Sequence, residues 1–309
     1  MDLTFNFNSI IQLITTFDTE EKCIDYLEKI RWRDKVISPF DSTSKVYKLK
    51  RNLYQCKNSD KRFNVKTGTL FEGTNIKLQK WFLGIYLITS HKKGISSLQL
   101  SRDLNISQKS SWFMLHRIRN CYGIETPILK NEVEVDETFI GGKSKNTNLK
   151  DGEKKPMGRS CKEKTPVLGM VERGGKLISK VVEDTKSKTL IPHILENVKE
   201  NSEVMTDEWL SYKSLCKNYL HFVINHKEKE FVKGRIHTNT IEGFWSLLKR
   251  GIVGIYHSTS NKHLQKYVDE FVFRYNTRSC EDKKVTESDR FNYFFDNMEN
   301  RLKYKDLIS

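Results

Sequence analysis

The 309-residue chain has no pair of cysteines at C-x-x-C spacing. Its six cysteines (Cys23, Cys56, Cys121, Cys161, Cys216 and Cys280) are scattered. Scatter of this kind excludes a disulfide framework and reads as reduced thiols in a reducing compartment. Long apolar runs are missing too: none approaches the roughly 18 residues that span a bilayer. No membrane partner is therefore expected. The opening residues, MDLTFNFNSIIQLITTFDTEEK, lack a basic n-region and a small-residue cleavage site, so they read as folded cytoplasmic sequence rather than a signal peptide. No internal repeat is visible. Acids are in short supply, with 39 Asp and Glu against 54 Lys and Arg, a formal net charge of +15. Nucleic acid is the commonest anionic partner for that much positive charge. What is present is ordinary for a folded chain: 37% hydrophobic and 11% aromatic residues, enough for one large domain or two to three small ones.

Four stretches follow from composition and period. Residues 1–75 open with an amphipathic helix, TEEKCIDYLEKIRW, with Thr19 as N-cap and Lys22 at N3, so no capping box forms. Short strand-like pieces follow near Val46, Tyr54 and KRFNVKTGTLF. Residues 76–125 have helical apolar spacing in WFLGIYLITS and SSWFMLHRIRN. Residues 126–280 begin with three strands, two of them joined by a Gly-Gly turn, and then alternate helix and strand, which argues for an α/β domain with a mixed sheet. The tail, 281–309, holds one more helical pattern at Phe291, Phe294 and Met298. The loop at 143–164 carries eight Lys or Arg against three acids and reads either as a contact to DNA or as a solvated loop.

The strand EVEVDETFIGG carries acids within a core-like pattern. Period two puts Glu134 and Asp136 on one face and the valines on the other. A solvated sheet face is one reading, and a metal site is the other. A sheet of this order would gather Asp136 with Asp207, which closes the strand VMTD, and with Glu242, which opens the helix TIEGFWSLLKRGI. Clustered carboxylates are hard oxygen ligands suited to Mg²⁺ or Mn²⁺. Without a cation they would repel, and one would hold its proton.

In this order, EVDETFIGG, MTDEWLSY and HTNTIEGFWSLLKRGI resemble the DDE transposases of bacterial insertion sequences, in the ISXO-two-like subgroup. The upstream stretch from KTGTLFEGTN to MLHRIR is similar to that subgroup as well. The resemblance implies a ribonuclease-H-like catalytic core with flanking helices. It implies metal-dependent cutting and joining of double-stranded DNA at element ends, by a homo-oligomer, in the cytoplasm and associated with DNA. It assigns Asp136, Asp207 and Glu242 to the metal triad, with Asn239 as a competitor for the third position because some relatives use Asn there. It gives Lys249, two helical turns beyond Glu242, a DNA phosphate, with Arg250 beside it. His237 is expected to cap its loop, and Trp245 to lie in the core. Two other readings stay open: an inactive, transposase-derived DNA-binding protein, and a different ribonuclease-H-like nuclease.

Relatives of this kind carry a zinc ribbon with two C-x-x-C knuckles. Here the knuckles read SPFD (Ser38–Asp41) and CKNS (Cys56–Ser59). One cysteine cannot close a tetrahedral zinc site, so no structural zinc is expected. Tyr47, Tyr54 and Phe63 are left to keep the ribbon's shape by apolar packing. Downstream, SSLQLSRDLNISQKSSWFMLHRIR fits a helix-turn-helix. Ser101 is small at the helix contact, Asn105 tolerates the left-handed turn, and Ser107 caps the second helix. Leu100, Leu104, Ile106 and Met114 form the small core. Gln108, Lys109 and Ser110 are expected to read bases, and Arg117 and Arg119 to touch phosphates.

Overall fold

Helical periodicity builds one unit of the chain, and alternating strands build the other. The computed structural model describes residues 7–123, 127–141, 164–224, 234–280 and 283–308. One unit comprises Met1–Ile124 with Ser279–Ser309, and the second Glu125–Arg278. In chain order the first unit begins with α1 (Ile10–Thr16), α2 (Glu20–Trp32), β1 (Val46–Lys48), β2 (Tyr54–Cys56) and β3 (Arg62–Phe63). It continues with α3 (Leu78–Ser90), α4 (Ser97–Leu104) and α5 (Gln108–Arg119). The second unit holds β4 (Glu132–Ile140), β5 (Thr165–Glu172), β6 (Leu177–Val181), α6 (Ser187–Asn197) and β7 (Glu203–Asp207). A 3-10 stretch over Leu210–Lys217, β8 (Leu220–Ile224), α7 (Asn239–Gly251), a π turn at Ile252–Tyr256 and α8 (Asn261–Asn276) complete it. The chain then returns to the first unit with α9 (Glu287–Phe295) and α10 (Tyr304–Ile308). Among the described residues no helix is long and apolar enough to cross a membrane.

The segments 1–75, 76–125 and 281–309, read separately from the sequence, share one core. Phe82 of α3 meets Phe17, Phe291 and Phe295 at ring separations of 4.8, 5.7 and 5.4 Å. A helix of two to three turns cannot bury an aromatic stripe alone, so α9 finishes the core that the N-terminal helices begin. Thr19 caps α2 as its sequence suggests, its Oγ1 accepting from Lys22 N at 3.3 Å. The strands β1-β2-β3 form a small antiparallel sheet. Tyr54 and Phe63 are buried there and stack at 5.7 Å, with Trp32 edge-on to both. Tyr47, by contrast, is exposed: it pairs with Gln55 of β2, which alternates with Tyr54 and so points to the other face of the sheet. In the knuckle positions, Ser38 Oγ accepts from the backbone N–H groups of Phe40 and Asp41 at 3.2 and 3.4 Å. The buried Cys56 thiol is lowered to about 6 by hydrogen bonds with Ser38, Ser44 and Ser59.

The second unit is a five-stranded mixed sheet in the order β6-β5-β4-β7-β8. β4-β5 and β5-β6 are antiparallel, whereas β4-β7 and β7-β8 are parallel. One face packs Val133, Val135, Leu168, Met170 and Val204 against Leu190 and Ile194 of α6 and Tyr212 and Leu215. The other packs Ile140, Val167, Val171 and Leu177 against Ile241, Phe244, Trp245 and Leu248 of α7 and Leu264, Val268 and Phe271 of α8. The sheet is therefore covered on both faces. Glu134 and Asp136 lie on the α7 face, and the solvated-face reading of these acids does not hold.

Candidate active site

Strand register brings the first two acids together. β4 and β7 run parallel with Glu134 opposite Met205. Two residues further along each strand stand Asp136 and Asp207, on the same face by the period of two. Both lie toward the carboxyl ends of parallel neighbours, where open α/β sheets leave a crevice. The third acid comes from α7. Its apolar stripe, Ile241, Phe244, Trp245 and Leu248, is buried against the sheet. Glu242 and Lys249, seven residues apart, stand on the exposed flank of that stripe.

A cleft of ≈ 370 Å³ is lined by Asp136, Glu137, Thr138, Asp207, Thr238, Glu242, Trp245, Ser246 and Lys249. Four of the residues expected to act in catalysis thus share one cavity. A larger cleft, ≈ 560 Å³, opens in the first unit beside β1. It sets Lys35, Lys45 and Lys48 against Asp34, the wrong composition for gathering carboxylates.

The electrostatics of the carboxylates match a site short of positive charge. Burial raises Asp136 to about 6, and the charges of Asp207 and, less, Glu242 push the same way. The indole of Trp245 opposes this, donating Nε1–H to Asp136 Oδ2 at 2.9 Å. Glu137 rises to about 7, again chiefly by burial, although it accepts a hydrogen bond from the Tyr212 hydroxyl. Asp207 Oδ1 accepts from Trp209 N at 3.0 Å, and Glu242 Oε1 accepts from Thr238 Oγ1 at 3.1 Å. These donors are hard oxygens of the kind Mg²⁺ and Mn²⁺ take. Among the described residues, no three His, Cys, Asp or Glu side chains converge closely enough to enclose a cation as they stand. Asp136, Asp207 and Glu242 thus gather oxygen donors of the chemistry a divalent ion takes in one cleft, without closing around a single point.

Other residues expected at the site fall elsewhere. Asn239, the rival for the third position, is exposed at the start of α7 and is absent from the cleft lining. Arg250 is exposed and donates Nε to Ser246 O at 3.1 Å, a helical step away from the cleft. His237 faces Glu134, its Nδ1 lying 3.2 Å from Glu134 Oε1. Trp245 is core, as expected, and also holds Asp136. In the first unit, α4 and α5 are joined by Asn105 in the left-handed region (φ 48°), and Ser107 Oγ accepts from Ser110 N at 3.1 Å. Leu100, Ser101, Leu104 and Met114 are buried, and Ile106 is half-buried. Gln108 and Lys109 are exposed and Ser110 is half-buried at the start of α5. Arg117 and Arg119 are a correction, for both are buried. Arg117 donates to the carbonyl of Glu72 and lies over Trp81 and Phe113, so it serves packing rather than phosphates. The basic loop at 143–164 lies, except for Lys164, outside the described residues.

Sequence reasoning passed over Glu137, Thr238 and Ser246, which line the cleft, and Arg173, which lies behind it. Glu137 carried a signal as an acid beside Asp136, and Thr238 and Ser246 each stand four residues from Glu242, whereas Arg173 depends on contacts between distant segments.

The model of the ISXO2-like transposase domain matches residues 128–276, which include Asp136, Asp207, Glu242 and Lys249. A protein in transposable element ISH50 of Halobacterium salinarum is 28% identical over 283 residues, covering 84% of this chain and 92% of the relative. A transposase-like protein of Haemophilus influenzae is 34% identical over 102 residues, covering 33% of this chain and 81% of the relative. Among solved structures, the Mos1 strand transfer complex gives a TM-score of 0.30 at 12% identity, covering 71% of this chain and 76% of that one. The Mos1 transposase paired-end complex with left transposon end gives 0.29 at 13%, covering 72% and 80%. At such TM-scores the likeness carries no inference about chemistry. The matched domain spans nearly all of the second unit, and the Haemophilus relative is matched over most of its length: the chain belongs to the family of ISXO2-like transposases.

Proposed function

We propose that this chain cuts and joins double-stranded DNA at the ends of its insertion sequence by metal-dependent phosphoryl transfer. The observation that carries the reading is the single cleft shared by Asp136, Asp207, Glu242 and Lys249, on a sheet whose order and strand directions suit a ribonuclease-H-like core. Asp136 and Asp207 would hold Mg²⁺ or Mn²⁺, with Glu242 completing the set. When bound, the ion supplies Lewis acidity and charge neutralisation for in-line attack of water or a 3′-hydroxyl on a phosphate. Trp245 fixes one oxygen of Asp136 and so limits the rotation of that carboxylate. Lys249, exposed on the rim, pairs with a backbone phosphate and holds the strand over the acids. Thr238 orients Glu242 through its hydroxyl. The start of α5, with Gln108, Lys109 and Ser110, is offered to base edges, and the excess of positive charge favours duplex binding. Action on two ends calls for a homo-oligomer on DNA. No zinc is assigned to the first unit, because Ser38 and Ser59 are poor ligands.

The test is Mg²⁺-dependent cleavage and strand transfer on DNA carrying the element's own ends, with wild type and Asp136→Ala. Cleavage and transfer by wild type alone support the reading. Retained end binding without cleavage by either protein selects a DNA-binding relic. Cleavage without transfer into a second duplex selects a simple nuclease.

A further inference from the structure

Glu134 is the most completely buried acid near the cleft, with no solvent exposure, yet it is absent from the cleft lining. Its partners come from α7, from Arg173 and from His237, whose Nδ1 lies 3.2 Å from Oε1. Oε2 accepts from the backbone N–H groups of Thr240 and Ile241 at 2.8 and 3.0 Å. Oε1 accepts from Thr240 Oγ1 at 2.8 Å and from Arg173 Nε at 2.7 Å. Arg173 in turn donates to the carbonyls of His237, at 2.8 Å, and Arg235. It also reaches Glu132 Oε2 at 3.3 Å.

α7 has no cap of its own. Thr238, at the N-cap position, makes no side-chain cap bond and spends its hydroxyl on Glu242. The first-turn amides that a local cap would satisfy are taken instead by a carboxylate from β4. A negative charge there also suits the helix dipole. The consequence is geometric. Two residues beyond Glu134 on the same face of β4 stands Asp136. Two residues beyond Thr240 in α7 stands Glu242. One carboxylate therefore sets both the axial position and the rotation of the helix against the strand, between the two acids that must cooperate.

We infer that Glu134, held by Arg173, is a positioning residue that registers Glu242 of α7 against Asp136 of β4, and so sets the affinity of the site for a divalent cation. The inference rests on the metal reading given above. Partners one shell removed from metal ligands commonly change metal affinity by about 10–100-fold.

The experiment measures Mn²⁺ binding to the full chain without DNA, by electron paramagnetic resonance and calorimetry. The variants are Glu134→Gln, Thr240→Val, Glu242→Ala, Asp136→Ala and the double variant Glu134→Gln/Glu242→Ala. Glutamine keeps one acceptor but turns an amide toward either the helix amides or the guanidinium. Glu134→Gln is expected to weaken Mn²⁺ binding about tenfold. Thr240→Val, which removes one hydrogen bond and leaves the charge pair intact, is expected to weaken it about two- to fivefold. In the Glu242→Ala background, Glu134→Gln is expected to cost almost nothing more, because the side chain it positions is gone. A residue that merely stabilises the fold would give equal losses in both backgrounds, and that result overturns the inference. Unchanged Mn²⁺ affinity in folded Glu134→Gln overturns it as well. If Glu134→Gln does not fold, Thr240→Val alone decides, and unchanged affinity there refutes the tether. Wild type that binds no Mn²⁺ in an Asp136-dependent way sinks the metal reading together with this inference. Binding that needs Asp136 but ignores Glu134 sinks the inference alone.

Discussion

Replacing Gly169 by alanine puts a methyl group where the Trp245 ring lies. Gly169 is mid-strand in β5, paired with Asp136 on one side and Ser179 on the other. An added Cβ would stand 2.5 and 2.6 Å from two carbons of the indole and 2.8 Å from Ile241 Cδ1. Neither neighbour can yield easily. The strand is held on both edges, and Trp245 is 4% exposed among Phe244, Ile241 and Leu248. Overpacking of this kind costs about 1–3 kcal/mol. Displacing the indole also breaks its bond to the Asp136 carboxylate, worth about 1.5–3 kcal/mol for a charged acceptor. Alanine returns about 0.4–1 kcal/mol by stiffening the unfolded chain. The net loss is about 1.5–5.5 kcal/mol, or roughly 3–20 °C in Tm for a domain near 150 residues. Thermal unfolding followed by tryptophan fluorescence measures it. The control is Trp245→Phe, which leaves room for the methyl group and has no N–H to lose. In that background Gly169→Ala should cost less than half as much. A Tm shift under about 2 °C in wild type, or equal costs in the two backgrounds, would falsify the packing account.

The remaining predictions concern charge. Asp136, ordinarily near 3.8, titrates at about 6 in the folded chain, so folding favours its protonated form. The stability this gives is full at low pH and is lost as pH rises through about 6. Asp136→Asn should therefore raise Tm at pH 8 by several degrees, and the gain should shrink toward pH 4; a loss of stability at pH 8 would refute the burial argument. Arg117, pushed down to about 10 chiefly by burial, should act on stability: Arg117→Met costs about 1–3 kcal/mol in chemical denaturation and leaves the salt slope of DNA binding unchanged. Lys109→Ala should do the reverse, lowering that slope by about 1 with little change in Tm, as read by fluorescence anisotropy across a salt series. Chelation should leave the unfolding of the first unit unmoved, and metal analysis should find no stoichiometric zinc; a lower Tm in EDTA would reveal a zinc site built from other ligands.

Much of the candidate site was legible because it is written in short-range order. A strand acid among valines, an acid closing the next parallel strand and an acid in the first turn of an apolar-striped helix are local patterns. Sheet topology then has few ways to bring them together. The caps at Thr19 and Ser107 and the left-handed Asn105 were readable for the same reason, since each is satisfied within four residues. Arg117 and Arg119 misled because a basic pair at the end of a helix looks the same whether it faces water or a core. Only the approach of Trp81 and the Glu72 carbonyl turns Arg117 inward. Tyr47 misled similarly: alternation in a three-residue strand leaves open which face is covered.

The resemblance to insertion-sequence transposases marked Lys249, whereas the residues themselves pointed to the three acids, the mixed sheet and the anionic partner implied by +15. These are decided by residue type and by repeats of two and 3.6, which the chain carries wherever it goes. Only the tertiary structure decided which face Glu134 serves. Alternation placed it beside Asp136, but its partners in α7 lie 106 residues away, and nothing local signals them. The same holds for Gly169, whose missing side chain matters only because the Trp245 ring rests there. A side chain's meaning in such places is set by what packs against it, and that is settled by the whole fold at once.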